Sequence, residues 1–295
     1  MSTTLLISGA SGKLGQRVIF HLLNTHHIAP HRLVAATRTP EKLAHLTAAG
    51  VQVRQADFDD PTSLATALIG VDQMLLISTD ALDQPGRRLA QHQTAVQAAE
   101  QAGVKHVIYT SMLQPDDSLI PFAPDHFGTE QALAASGLNW TILRHAWYME
   151  NLLGTLPSAI ASGQWYTAAG DGLVAHVSLE DCARTAAAVL ASDHQATNVH
   201  YNITGPEGLT TAAIAALASE VVGKPLQVVQ VSDEQLIQGM IAAGVPEFMA
   251  PVWGAFDANT RAGKVAVVSE DVQNLTNQAP QTLHDFLVAH RELLG

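Results

Sequence analysis

Residues Ile7 to Gln16 read ISGASGKLGQ, and this stretch decides the fold because it spaces three glycines evenly near the start of the chain. The apolar run Leu5-Leu6-Ile7 before it predicts a buried strand, and the residues after Gly12 have the apolar spacing of a helix. A glycine turn at such a junction lets backbone N–H groups approach a ligand, and the N-terminus of the helix adds a partial positive charge. The stretch therefore predicts a seat for a pyrophosphate group.

The spacing of these glycines departs from the usual dinucleotide-binding pattern. Gly9, Gly12 and Gly15 form G-x-x-G-x-x-G, whereas the common pattern is G-x-G-x-x-G. The alternative interpretation is a tight strand-to-helix turn with close packing and no ligand. That alternative explains Gly15, but it does not explain three glycines together with Ser8 and Ser11.

Outward from this stretch, short apolar runs alternate with longer segments of helical periodicity. The predicted strands are Thr4 to Ser8, Leu33 to Thr37, Val51 to Ala56, Met74 to Ser78, His106 to Thr110 and Trp140 to Leu143. The predicted helices are Lys13 to Leu23, Pro40 to Ala49, Pro61 to Leu68, Gly86 to Ala102 and Asp125 to Ser136. Apolar strands that are each followed by a helix predict an α/β fold, a Rossmann doubly wound parallel sheet over residues 1–150.

The regular alternation ends after Tyr148. Helices are predicted at Ser178 to Leu190, Thr210 to Val222, Asp233 to Ala243 and Gln281 to Leu294, with a late strand at Val199 to Ile203. We expect residues 151–295 to form a smaller α/β C-terminal substrate-binding part packed onto residues 1–150, with the late strand as a candidate to return to the main sheet. A cleft between the two parts is the expected ligand site.

Composition excludes several classes of protein. The chain has 295 residues, a net charge of -12 and only 15 Lys and Arg, so we expect no nucleic-acid ligand. The single cysteine, Cys182, excludes a disulfide framework and a zinc ribbon, and the 14 histidines show no HExxH pattern, so no metal site is predicted. No apolar stretch is long enough for a membrane span, and the start MSTTLLISG lacks the features of a signal peptide. A cytoplasmic protein is expected.

The end of the second predicted strand indicates which dinucleotide binds. An NAD site usually has an Asp or Glu there for the ribose 2′-hydroxyl, whereas this chain has Arg38. A guanidinium suits a 2′-phosphate, and Lys13 in the glycine turn is a second candidate cation. NADP(H) is therefore favoured over NAD(H). Arg38 as an ordinary solvated cation is the alternative.

Several segments along nearly the whole chain resemble one known family. They are Gly9-Ala-Ser-Gly-Lys-Leu-Gly15, Arg38-Thr-Pro, Ala56-Asp57-Phe58, Leu75-Leu-Ile-Ser-Thr79, Arg144-His-Ala-Trp-Tyr-Met-Glu-Asn151, Ala243-Gly-Val-Pro-Glu247 and the C-terminal Thr282-Leu segment. By these segments the chain resembles the NmrA-like branch of the atypical short-chain dehydrogenases, in particular its group of type 2 NAD(P)H:quinone oxidoreductases and triphenylmethane reductases.

The resemblance implies an NADP(H) site with a role for each matching position. The pyrophosphate would be held by Gly9, Ala10, Ser11, Gly12, Lys13 and Leu14, and the 2′-phosphate by Arg38. The adenosine side would be held by Ser78 and Thr79, with Asp57 and Phe58 near the adenine. The nicotinamide end would be held by Ala146, Trp147, Tyr148 and Asn151.

The chain departs from the usual short-chain dehydrogenase pattern at its proton donor. Ser111 is kept at the end of the fifth strand, but the expected Tyr-x-x-x-Lys is replaced by His126-Phe-Gly-Thr-Glu130. Reduction of a simple ketone needs a placed acid, whereas hydride addition to a quinone or a cationic dye gives a delocalised anion or a neutral product. The missing pair thus favours conjugated acceptors, for which positioning supplies most of the catalysis.

Three residues are candidates for catalysis. His126 titrates in the working range and is the first candidate proton donor, with an exposed histidine at a helix N-terminus as the alternative interpretation. Tyr148 is a second candidate donor or a residue that stacks near the nicotinamide. Ser111 is a candidate hydrogen-bond partner for a carbonyl of the acceptor. The alternative interpretation is that Ser111 is an ordinary turn residue at the end of a strand.

We therefore predict an NADPH-dependent oxidoreductase that transfers a hydride to a quinone-like or other conjugated, dye-like small molecule. The apolar walls of its site are expected among two groups of residues: Met112, Leu113, Phe122 and Trp147, then Phe248, Met249, Trp253 and Phe256, with core packing as their alternative. The other hypothesis is an NmrA-like redox sensor that binds NADP without turnover and regulates a protein partner. A homodimer is a further hypothesis that the sequence does not test.

Overall fold

The computed structural model describes residues 3–192 and 196–295. Its central feature is a seven-stranded sheet with the strand order β3-β2-β1-β4-β5-β6-β9. These strands are β1 (Leu5–Ile7), β2 (Leu33–Thr37), β3 (Gln52–Gln55), β4 (Gln73–Leu76), β5 (His106–Met112), β6 (Asn139–His145) and β9 (Val199–Ile203). β1 pairs in parallel with β2 and β4, β2 with β3, and β4 with β5. This order confirms the doubly wound α/β fold.

A helix follows each of the strands β1 to β6, and further helices come later in the chain. They are α1 (Lys13–Asn24), α2 (Ala44–Ala48), α3 (Pro61–Ala67), α4 (Arg87–Gln101), α5 (Ala123–Ala135), α6 (Leu156–Ser162), α7 (Leu179–Ala191), α8 (Thr211–Val222), α9 (Asp233–Ala242), α10 (Ala250–Arg261), α11 (Asp271–Thr276), α12 (Leu283–Ala289) and α13 (Arg291–Leu294). Short 3₁₀ helices occur at Pro30–Arg32, Pro40–Leu43 and Met149–Gly154.

The sequence predicts helices that begin at two prolines, Pro40 and Pro61, and the structure confirms the second of these helix starts. Asp60 precedes α3, and its carboxylate accepts a hydrogen bond from the Thr62 N–H at 2.9 Å, so it caps the helix that Pro61 begins. The segment after Thr39 differs, because Pro40 begins a 3₁₀ turn before α2 rather than one continuous helix.

Burial explains why the central strands are apolar runs rather than alternating ones. Every residue of β1, β2 and β5 is buried. One core cluster contains Leu6, Val34, Met74, Val107 and Tyr109 from four adjacent strands. Each fully buried side chain of this kind stabilises the fold by about 1.5–3 kcal/mol relative to its exposed state. The buried sheet is the rigid element that positions the loops at the carboxyl ends of its strands.

The described chain forms two compact units. Among the described residues, the first comprises residues 3–112, 124–144, 182–192 and 196–201, and the second comprises residues 113–123, 145–181 and 202–295. The chain therefore passes between the units several times, whereas the predicted boundary at residue 150 assumes two consecutive segments. That boundary remains a prediction for the domain organisation. The late strand β9 lies at the edge of the main sheet, next to β6.

The second unit contains two small sheets and its own core. β7 (Gln164–Thr167) pairs in parallel with β11 (Gln227–Gln230), and β8 (Leu173–Val174) pairs antiparallel with β10 (Leu209–Thr210). Its core cluster includes Leu152, Leu156, Ile214, Phe286 and Leu287. Among the described helices, none is long and apolar enough to cross a membrane.

Candidate functional site

The glycine turn between β1 and α1 is tight because each glycine meets a different constraint. Gly9 has a left-handed backbone with φ of +58°, and its carbonyl accepts the Gly12 N–H at 2.9 Å. A Cβ on Gly15 would lie 2.5 Å from the Gly9 carbonyl oxygen, so only glycine fits there. Gly12 is the N-cap of α1 and, having no side chain, makes no side-chain cap. The first-turn amides of α1 are thus positioned to bind an anion.

A cavity of about 460 Å³ opens beside this turn, within the first unit. Eight of the predicted cofactor residues line it: Gly9, Ser11, Gly12, Arg38, Asp57, Phe58, Ser78 and Thr79. The structure therefore brings together residues that follow β1, β2, β3 and β4. The volume of the cavity is in the range of small-molecule and cofactor sites.

Three predicted residues of the glycine turn are not among the lining residues. Ala10 is fully buried, and its N–H donates to the Ala36 carbonyl at 3.1 Å, so it ties the turn to β2. Leu14 is buried in α1, and Lys13 is exposed at the start of that helix. Their assignment to the pyrophosphate remains a prediction.

The cavity wall after β4 begins with three consecutive residues whose N–H groups all donate to side chains. The Ile77 N–H donates to the Ser8 hydroxyl, the Ser78 N–H to the Thr110 hydroxyl, both at 2.9 Å, and the Thr79 N–H to the imidazole Nε2 of His92 at 3.0 Å. Side chains therefore fix the backbone of this segment, although, among the described residues, its N–H groups form no hydrogen bonds to the backbone of a neighbouring strand.

A second guanidinium lines the cavity besides Arg38. Arg87 forms ion pairs with Asp59 at 2.7 Å and with Asp83 at 2.8 Å. The hydrogen bond from Arg87 lowers the pKa of Asp59 below its usual value, and the hydrogen bond from Gln91 and the charge of Arg38 act in the same direction. The Asp59 carboxylate therefore stays ionised and partly neutralises Arg87.

Sequence reasoning missed half of the cavity lining, namely Thr37, Ala56, Ile77, Asp80, Ala81, Asp83, Arg87 and Gln91. One signal could have found two of them. Arg87 and Gln91 are four residues apart at the start of the predicted helix after the fourth strand, so they share a helix face that points to the carboxyl ends of the strands.

His126 is buried in α5, and both of its ring nitrogens have partners in the first unit. Arg88 approaches Nε2 at 3.1 Å, and the Tyr109 hydroxyl lies 2.8 Å from Nδ1. A guanidinium can only donate, so Nε2 accepts and the proton of the ring is on Nδ1, where it donates to Tyr109. His126 is therefore buried, and its alternative interpretation as an exposed histidine at a helix N-terminus is wrong. Its role as proton donor remains a prediction.

Ser111 is also buried and also engaged. Its hydroxyl donates to Glu130 at 2.7 Å, and Arg144 donates to the same carboxylate from Nε at 2.9 Å and from Nη2 at 2.5 Å. Glu130 therefore occupies the position of the usual lysine with the opposite charge, and Arg144 supplies the cation. This arrangement leaves the lone pairs of Ser111, rather than its hydrogen, for any further partner.

Tyr148 and the other predicted nicotinamide residues lie in the second unit. The Tyr148 hydroxyl is 3.0 Å from Nδ1 of His145, and burial lowers the pKa of His145 to about 3, so this ring is neutral. The Ala146 N–H donates to the Ile203 carbonyl at 2.9 Å, and the Asn151 N–H to the Tyr148 carbonyl at 3.1 Å. Tyr148 is half-buried.

The apolar residues expected to line an acceptor site fall into two groups. Trp147 packs on Phe256 with ring centroids 4.7 Å apart, and Phe256 lies 6.2 Å from Phe122, all within the second unit. Phe248 and Trp253 are 78% and 46% exposed, so they contribute little to any core. Met112 and Leu113 are buried, as core packing predicts, and Met249 is half-buried.

Comparison with known proteins identifies the family. A family model described as the NmrA-like family matches residues 1–287. The chain belongs to the NmrA-like family. Within the parts of the chain that the structure describes, no group of three or more His, Cys, Asp or Glu side chains forms a candidate metal site.

Three characterised proteins are similar to this NmrA-like chain. Quinone oxidoreductase 2 of Escherichia coli is 35% identical over 94% of this chain and 95% of its own length. A crystal structure of an NADPH-dependent quinone oxidoreductase from Escherichia coli complexed with NADPH has a TM-score of 0.92 at 34% identity, covering 98% of this chain and 100% of that chain.

The other two relatives are named as a triphenylmethane reductase and an azoreductase. The triphenylmethane reductase of Citrobacter sp., complexed with NADP(H), has a TM-score of 0.90 at 34% identity over 97% of this chain and 99% of that chain. The NAD(P)H azoreductase of Xenophilus azovorans is 30% identical over 99% of this chain and 99% of its own length.

Proposed function

We propose that this NmrA-like protein is an NADPH-dependent oxidoreductase that transfers a hydride to a quinone-like or other conjugated, dye-like acceptor. The observation that carries the proposal is the cavity of the first unit, where the uncapped N-terminus of α1 and the guanidinium of Arg38 line the same space. The similar quinone oxidoreductases, triphenylmethane reductase and azoreductase support the same reaction.

The residues present fit NADPH. A diphosphate would be held by the first-turn amides of α1, since Gly9 and Gly15 keep the backbone close and Gly12 adds no side chain. The planar fork of Arg38 suits a 2′-phosphate, and Asp57, Phe58, Ser78 and Thr79 would hold the adenosine. When bound, NADPH supplies the hydride.

The chain's own contribution to the chemistry is positioning and proton supply. Quinone reduction requires a proton, and Tyr148 is the proposed donor, because its half-buried hydroxyl faces a histidine that burial keeps neutral. His126 and Ser111 are retained as candidates of second rank, since Arg88 and Glu130 already engage them. A cationic dye becomes neutral on gaining a hydride, so this acceptor needs no donor at all.

The test measures NADPH consumption with menadione, benzoquinone or a triphenylmethane dye as the acceptor. The loss of NADPH absorbance reports the consumption. We expect acceptor-dependent consumption with at least one of them. The redox-sensor alternative predicts tight binding of NADP without turnover, so binding with no consumption for all three acceptors would favour it. A cytoplasmic location and a homodimer belong to the same proposal, and light scattering of the purified protein tests the dimer.

A further inference from the structure

The wall of the NADPH cavity after β4 depends on acceptors that lie far away in sequence. β4 ends at Leu76, and the next three N–H groups donate to Ser8 at the end of β1, to Thr110 in β5 and to His92 in α4. Ser8 directly follows β1 and Thr110 lies in β5, and these are the two strands adjacent to β4, so the sheet itself places both acceptors. His92 is different because it comes from a helix.

The hydrogen bonds around His92 fix its tautomer. Nε2 accepts the Thr79 N–H, so a neutral ring has its proton on Nδ1, which donates to the Thr129 hydroxyl at 2.9 Å. The Thr129 hydroxyl in turn donates to the Asp125 carbonyl at 2.7 Å. His92 is fully buried, and burial lowers its pKa to about 3, with the charge of Arg88 acting in the same direction. The ring is therefore a permanent acceptor for Thr79.

His92 also connects two walls of the cavity. Thr79 lines the cavity through the segment after β4, and Arg87 and Gln91 line it from α4. The Thr79 hydroxyl donates to the Gln91 amide oxygen at 2.8 Å, one residue before His92. Side chain and backbone of Thr79 are thus held by consecutive residues of one helix.

We propose that His92 is a positioning residue for coenzyme binding, which holds the Thr79 N–H and thereby sets the cavity wall on the adenosine side of NADPH. The inference rests on the proposed function, because it requires NADPH to occupy this cavity. His92 does not touch the reacting atoms, so its loss acts on binding rather than on the chemical step.

Two substitutions of the same residue separate positioning from general stability. In His92→Gln the amide oxygen is as many bonds from Cα as Nε2 is, so it can accept the Thr79 N–H. In His92→Asn the amide oxygen corresponds to Nδ1 and falls short of Thr79. The matched control is His106→Asn, since His106 is also buried, bonds Thr141 at 2.9 Å and does not line the cavity.

The measurements are the Kd for NADPH, kcat at saturating NADPH and the thermal midpoint of each variant. We expect His92→Asn to raise the Kd about three- to tenfold, as the loss of one hydrogen bond implies, with kcat within about twofold of the wild type. His92→Gln should restore the Kd to within about twofold, and His106→Asn should lower the thermal midpoint without raising the Kd.

Hydrogen exchange gives a readout that does not depend on the coenzyme. The Thr79 amide should exchange faster in His92→Asn than in the wild type and in His92→Gln. The inference is overturned if His92→Asn binds NADPH like the wild type, if Gln does not restore binding, or if His106→Asn weakens binding equally. A wild type that binds no NADPH would instead overturn the proposed function, and the inference with it.

Discussion

At the scale of single residues, the three glycines after β1 have three separate physical roles. Gly9 adopts a left-handed backbone, Gly12 ends the turn as an N-cap without a side chain, and Gly15 allows contact with the Gly9 carbonyl. The sequence predicts this turn because few other functions need glycines at that place. Helical spacing puts Arg87 and Gln91 on one face of α4, but their position in the cavity also depends on the path of the loop before α4, which the sequence does not predict.

Gly15→Ala should destabilise the protein, because its Cβ would lie 2.5 Å from the Gly9 oxygen and 2.8 Å from Ala10 Cα. Backbone atoms cannot move aside as a flexible side chain would, so we expect a loss of about 2 kcal/mol or more in the free energy of unfolding. Gly239→Ala is the control, since Gly239 is inside α9 with open space around it. There alanine should raise the free energy of unfolding by about 0.5–1 kcal/mol. Urea unfolding measures both, and equal effects would contradict the packing argument.

Arg38→Ala tests coenzyme selectivity. The substitution should raise the Kd for NADPH about 10- to 100-fold, because it removes charge-assisted hydrogen bonds to the 2′-phosphate. NADH lacks that phosphate, so its Kd should change by less than about twofold. Fluorescence titration with both coenzymes gives the comparison. Equal losses for NADPH and NADH would refute the role of Arg38.

Tyr148→Phe tests the proposed proton donor. Menadione reduction should fall by about tenfold, less than a full general acid contributes, because water can replace the phenol. Reduction of a triphenylmethane dye should be unchanged, since a cation that gains a hydride needs no proton. Steady-state kinetics with the two acceptors in parallel measures the difference. Equal losses of rate with both acceptors would show that Tyr148 positions the acceptor and does not protonate it.

At the scale of secondary structure elements, the Glu130 to Arg144 ion pair joins the elements that carry the candidate catalytic groups. Glu130 on α5 accepts from Ser111 on β5 and from Arg144 on β6. The sequence shows that lysine is missing from α5, but it does not show that arginine on the next strand supplies the cation. A contact of this kind depends on register between elements, which periodicity alone does not determine.

Glu130→Ala should therefore cost about 3 kcal/mol of stability, because it leaves the guanidinium of Arg144, 20% exposed, without its carboxylate. Lys105→Ala is the matched control. Lys105 is 75% exposed and its ion pair with Asp72 should contribute less than about 1 kcal/mol. Urea unfolding at neutral pH compares the two variants, and a Glu130→Ala protein as stable as Lys105→Ala would contradict a buried ion pair.

The elements that sequence reasoning predicts and those it misses differ in length and burial. β2 and β9 have the predicted bounds, and α1, α4 and α5 differ only at their ends. β7 and β11 were missed because each is four residues long with partly exposed side chains, so neither shows a clear period. α10 was missed because Pro251 lies in its first turn and resembles a turn signal.

At the scale of the whole molecule, buried histidines link stability to pH. Burial lowers the pKa of His92 and His145 to about 3 and that of His106 to about 4, whereas each would titrate near 6.5 in the unfolded chain. The unfolded state therefore binds more protons below about pH 6.5. These groups contribute stability that is complete above that pH and is lost progressively as the pH falls toward their folded pKa values.

The free energy of unfolding should accordingly decrease between about pH 6.5 and pH 5, by up to about 1.4 kcal/mol per pH unit for each of the three histidines. Burial raises the pKa of Asp125 and Glu150, and these carboxyls oppose the trend at the acidic end. Urea unfolding across this range measures the slope. His106→Asn should make the slope shallower by about one proton, and a flat profile in the wild type would contradict the neutral histidines.

The central claim is that the first unit of this NmrA-like protein binds the phosphorylated nicotinamide coenzyme at the uncapped start of α1. Calorimetric titration of the wild-type protein with NADPH and with NADH tests it most directly. The account predicts a Kd for NADPH in the micromolar range, at least about tenfold tighter than that for NADH. Failure to retain NADPH at millimolar concentration, or a preference for NADH, would contradict it.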